Sequence, residues 1–84
     1  ELAQALNRPA LRDQRFTIAG HTDAVGAPEL NLRLSCARGW AVRRYLMARG
    51  VAAERLGVYG FGASQSRGEG DALDRRVEIR RSAP

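Results

Sequence analysis

Residues 28–49 carry the longest helical pattern in the chain, and their flanks limit what the rest can be. Pro28 suits a first helical turn, where its missing N–H has no partner to lose. Glu29 sits well against the positive end of the helix dipole. Gly50 is a natural stop, with Arg49 in the last turn. At about 100° per residue, Leu30, Leu34, Ala37, Ala41, Tyr45 and Ala48 share one broad apolar face, the expected core face. Asn31, Ser35, Arg38 and Val42 form a neighbouring stripe. Cys36, Trp40, Arg44 and Met47 lie opposite, and are expected to pack on the first helix or stay partly exposed. Gly39, in mid-helix, costs about 1 kcal/mol against alanine and allows a close backbone approach.

A strand is predicted on each side of this helix. Residues 14–20 alternate, with Phe16 and Ile18 on one face and Arg15 and Thr17 on the other, and Gly20 closes the run. After a short turn or helix at 51–56, Leu56, Val58 and Tyr59 form a second strand that ends at Gly60-Phe61-Gly62. Strand, long helix, strand is a βαβ crossover, so these two strands should be parallel or near neighbours. Residues 1–8 read as the tail of a helix with Leu2, Ala5 and Leu6 on one face, ended by Pro9. Residues 62–74, rich in Gly, Ser and acidic groups, read as a mobile loop. Residues 75–81 alternate again: Val77 and Ile79 share one face, Arg76, Glu78 and Arg80 the other, a charged pattern suited to a sheet edge. The expected architecture is a small α/β two-layer sandwich, a βαβ-containing mixed sheet with helices on one face. Eighty-four residues imply one domain, residues 1–84.

The bulk properties exclude several classes. No apolar run is long enough for a membrane helix, so membrane attachment would come through a segment outside these residues. Cys36 is the only cysteine, which rules out an internal disulfide. All fourteen basic residues are arginine and the net charge is +5, a balance that suits polyanions or a solvated surface.

His21, Asp23 and Ser35 supply the residue types of a hydrolase triad. However, Ser35 lies within a helical pattern and no Gly-x-Ser-x-Gly elbow is present. No close carboxylate pair, metal-ligand spacing or phosphate-loop fingerprint appears. The chain reads as a non-enzyme that needs no cofactor and no metal. A binding reading fits better. Asp23 precedes a helix start, and Arg38 lies fifteen residues later on the same stripe as Asn31. A carboxylate and a guanidinium in one recess suit a ligand carrying both ammonium and carboxylate, because arginine clamps a carboxylate through two parallel bonds. The plain alternative is that the two charges pair with each other.

The run Gly20-His21-Thr22-Asp23-(x)2-Gly26-(x)4-Asn31-(x)2-Leu34-Ser35-(x)2-Arg38 resembles the OmpA/MotB-type C-terminal domain, the peptidoglycan-associated (Pal-like) module. So do Val42 and Leu46, Gly50-Val51, Arg55-Leu56, Gly60-Phe61-Gly62, and Asp74-Arg75-Arg76-Val77-Glu78. The resemblance implies non-covalent binding of peptidoglycan through the diaminopimelate residue of its stem peptide, anchoring a periplasmic, envelope-associated protein to the cell wall. It implies that Asp23 and Arg38 grip the amino and carboxylate ends of that residue. Asn31, Thr22, Leu34 and Arg75 would line the pocket. The chain departs from the family pattern at Gly39, where alanine is usual, and at Ala63 and Ser66, where Glu and Pro are common. The loop after Gly62 is shorter than usual. The family's first strand, which precedes the first helix, is not in this stretch: either another segment supplies it, or the site is weakened and a sheet edge is left open. Two other readings stand beside this one. In the first, Arg75, Arg76, Arg80 and Arg81 bind nucleic acid. In the second, the chain is an assembly domain that uses Trp40 and its stripe as an interface, with homodimerisation open.

Overall fold

The computed structural model describes residues 1–22, 26–64 and 76–82. Helix α1 spans Leu2–Leu6, strand β1 Phe16–Gly20, helix α2 Pro28–Ala48, strand β2 Leu56–Gly60 and strand β3 Val77–Arg81, with a 3-10 turn at Ala53–Arg55 before β2. Among the described residues the sheet runs β2-β1-β3. β1 pairs with β2 in parallel, from Phe16 opposite Leu56 to Gly20 opposite Gly60. It pairs with β3 antiparallel, from Phe16 opposite Arg81 to Gly20 opposite Val77. The sheet is therefore mixed, the expected βαβ unit is present, and β3 lies at an edge as its charged pattern suggests.

Both helices lie on one face. Ala3 and Leu6 of α1 meet Phe16, Ile18, Leu46, Val51 and Leu56 in the core, and Leu11, Val42, Val58, Val77 and Ile79 pack around them. Glu1 caps α1 by accepting from the Ala3 N–H at 2.8 Å, and Arg49 holds the same carboxylate at 3.3 Å. The bend after α1 is fastened by Arg55. Its guanidinium donates to Gln14 O, Leu6 O, Leu11 O and Asn7 Oδ1 at 2.7–3.0 Å. One charged group thus serves four carbonyl-type oxygens of this segment.

The orientation of α2 corrects the sequence reading. Leu30, Leu34, Ala37, Ala41, Tyr45 and Ala48, the expected core face, are all exposed. The residues that meet the sheet are Asn31, Ser35, Gly39 and Leu46, with Val42 beside them. The reason is the closeness of approach. A Cβ at Gly20 would lie 2.0 Å from the Ser35 carbonyl oxygen, and one at Gly39 would lie 2.7 Å from a Val58 methyl. The helix backbone sits almost on the sheet over this stretch. Only small side chains fit there, and the larger apolar ones turn outward. Trp40 and Met47 are also partly exposed, and Arg43 lies over the Trp40 ring at 5.1 Å.

Candidate functional site

The site is built where β1 and β2 end and the first turns of α2 pass over them. Gly20 O accepts from the Phe61 N–H at 2.9 Å, which continues the β1–β2 ladder one step past the strands. Thr22 then donates its N–H to Gly62 O at 2.8 Å, and His21 donates its N–H to Arg76 O at 2.8 Å. The chain after β1 is thus held on both sides through His21 and Thr22. Gly60 and Gly62 serve this junction. A Cβ at Gly60 would stand 2.4 Å from Cys36 Sγ, and Gly62 takes a φ of +56° that other residues adopt rarely.

Arg38 reaches this junction from α2. Its Nη1 donates to the His21 carbonyl at 3.3 Å, and the side chain is half-buried. Among the described residues this is its one hydrogen bond, and a guanidinium carries five N–H donors, enough for a second acceptor. Asn31, two turns earlier on the helix, is 5% exposed, and Thr22 is 3% exposed. Leu34, one turn before Arg38, is 41% exposed at the rim. Asp23 and Arg75 lie outside the described residues. The structure therefore brings Arg38 to the backbone of the Gly20–Thr22 segment and buries Asn31 and Thr22 at the helix–sheet junction, with Leu34 more open.

His21 is fully buried, and its ring stacks on Phe61 with centroids 5.1 Å apart and planes within 3°. Arg80 covers the Phe61 ring at 5.0 Å and brings Nη2 to 3.4 Å from His21 Nε2. Glu78 accepts from Arg76 and, at 2.8 and 3.0 Å, from Arg80. These hydrogen bonds, Arg76's first and Arg80's second, hold the Glu78 carboxyl at about 2, well below the usual range. Arg76 and Arg80 are thus committed to Glu78 and do not form an unopposed basic stripe, which weighs against nucleic-acid recognition.

Ser35 does not act as a nucleophile would. It is fully buried. Its hydroxyl donates to Leu32 O at 2.8 Å and accepts from the Gly62 N–H at 2.9 Å. The sequence reading weighed Ser35 only for catalysis. The available signal was its spacing, three residues before Arg38 on the stripe that contains Asn31.

A family model described as the OmpA family matches residues 1–80. The peptidoglycan-binding protein ArfA of Mycobacterium tuberculosis is 44% identical over 75 residues, covering 83% of this chain, and this chain spans only 23% of that protein's length. Among solved structures, the peptidoglycan-associated lipoprotein from Burkholderia pseudomallei superposes with a TM-score of 0.83 at 29% identity, covering 96% of this chain and 71% of that one. The C-terminal domain of Helicobacter pylori MotB superposes with a TM-score of 0.81 at 22% identity, covering 99% of this chain and 67% of that one, which speaks for the fold alone.

Proposed function

We propose that this chain, which belongs to the OmpA family, is a binding domain that holds peptidoglycan non-covalently and anchors a larger envelope protein to the cell wall. The observation that carries this is Arg38. It stands half-buried at the ends of β1 and β2, tied by one bond to His21 O, with donors left for a ligand carboxylate. The family relationship supplies the polymer, since a relative 44% identical over 75 residues is named a peptidoglycan-binding protein. In this reading the ligand group is the free end of a diaminopimelate residue. Arg38 clamps its carboxylate through paired N–H bonds, and Asp23 takes its ammonium. Asn31, Thr22, Leu34 and Arg75 shape the recess. The work is binding without chemistry, in the periplasm, with attachment to a membrane supplied by other parts of the protein.

Co-sedimentation with purified peptidoglycan sacculi tests it, with Asp23→Ala and Arg38→Ala beside wild type. Each substitution is expected to weaken binding by about 2–5 kcal/mol, as for truncating one partner of a buried charged contact. Melting curves of both variants exclude loss of fold as the cause. Full retention of binding by both folded variants rejects this pocket.

A further inference from the structure

The geometry points to Ser35 as a positioning residue for the pocket, acting through Gly62 on Thr22; this rests on the peptidoglycan reading above. Ser35 is fully buried and is not among the residues proposed to contact the ligand. Its hydroxyl instead closes a relay. Leu32 O accepts its hydrogen at 2.8 Å, which aims the oxygen lone pairs at the Gly62 N–H, 2.9 Å away in a buried bond. Gly62 O in turn accepts the Thr22 N–H at 2.8 Å. Ser35 therefore holds the peptide unit before Gly62, and the peptide unit after Gly62 holds Thr22, the second residue past β1 and the one that precedes Asp23 in sequence.

The surroundings leave this relay little freedom. The Ser35 carbonyl lies where a Cβ on Gly20 would stand, 2.0 Å away, and Ser35 Oγ lies 2.7 Å from a Cβ built on Gly60. The same helical turn thus presses on the ends of both strands. Gly62 has a φ of +56°, and its Cβ position is within 3.3 Å of Leu32. Arg38 stands three residues along the same helix, with its guanidinium on His21 O. The distance between Arg38 and Thr22 is therefore set by how α2 is fastened to the strand ends, and Ser35 makes the fastening to Gly62. Leaving the buried Gly62 N–H without an acceptor loosens Gly62 and Thr22 together.

The test uses Ser35→Ala, which removes the acceptor, and Ser35→Cys, which keeps the volume but supplies a poor acceptor. Leu46→Ala is the control: it weakens the core and touches nothing in the relay. Two quantities are measured on folded protein: amide hydrogen exchange and affinity for sacculi. In both Ser35 variants the Gly62 and Thr22 amides should exchange about tenfold faster, the change expected when a bond worth about 1.4 kcal/mol is lost. The Ile18 and Leu46 amides should change less than about threefold. Affinity should fall about tenfold in both variants and stay within about twofold in Leu46→Ala. Unchanged affinity, or equal acceleration at all four amides, overturns the positioning role. Wild type failing to bind sacculi overturns the peptidoglycan reading and this proposal with it. Wild type binding with the Ser35 variants unaffected overturns this proposal alone.

Discussion

Glu78 shows how much of this surface is electrostatic design at single positions. It lies one-third exposed between Arg76 and Arg80, and their hydrogen bonds lower its carboxyl from 4.5 to about 2. A carboxyl depressed on folding stabilises the fold fully above its unfolded value, and loses that contribution as pH falls through the folded value. Glu78→Gln should therefore lower stability by about 1 kcal/mol at pH 7, a small figure because the site is solvent-screened. The gap to wild type should close as pH drops from 4.5 toward 2. Thermal melts across pH measure it, and a gap that stays constant to pH 2 would rule out the carboxylate as its source. Gly20 makes a harder demand. An added Cβ would stand 2.0 Å from the Ser35 carbonyl oxygen, a backbone atom that cannot turn aside. Gly20→Ala should cost about 3 kcal/mol or more in denaturant unfolding, at the top of the usual range for overpacking. The sequence showed Gly20 as the end of a strand. It held no sign that the backbone of a helix residue fifteen positions onward, Ser35, would rest against it.

At the scale of elements, α2 is where sequence and structure part. Its limits were legible, because Pro28 and the Arg49-Gly50 pair are local signals with local causes, and the observed helix runs Pro28–Ala48. Its rotation was not. Apolar periodicity selected Leu30, Leu34 and Tyr45, whereas the buried positions are Asn31, Ser35, Gly39 and Leu46. Periodicity reports where large apolar side chains cluster, and it fails when a helix docks through small residues at short range. A paired substitution checks the orientation. Leu46→Ala, at a fully buried position, should cost about 2–5 kcal/mol. Leu30→Ser, at 46% exposure, should stay within about 0.5 kcal/mol. Chemical denaturation compares the two, and equal costs would contradict the packing described. The strands were read more surely. Their positions followed from the alternation, but burial does not simply alternate: Ala19 and Gly20 are buried beside Phe16 and Ile18, and Val77 through Arg80 are all intermediate.

At the scale of the molecule, the segment before β1 depends on a side chain far along the chain. Arg55 holds Gln14, Leu6, Leu11 and Asn7 through four hydrogen bonds. Arg55→Ala should destabilise the fold by about 2–4 kcal/mol, since each charged bond contributes about 1.5–3 kcal/mol and water replaces part of it. Arg55→Lys should not restore it, because a point charge cannot serve four acceptors in a plane. Urea unfolding measures both, and full recovery by lysine would show that charge alone suffices. What the sequence by itself determined is what short-range physics decides. Proline and glycine set the ends of α2, alternation set the strands, and the order strand, long helix, strand made β1 and β2 parallel or near neighbours. The motif from Gly20 to Arg38 named the candidate residues through its resemblance to a family. Only the tertiary structure decided which face of α2 meets the sheet, that Arg38 rests on the His21 carbonyl, and that Ser35 bonds Gly62. Those contacts join residues seventeen and twenty-seven positions apart. They depend on how closely two backbones approach, a distance set by the absence of side chains, which no periodicity of hydrophobic residues records.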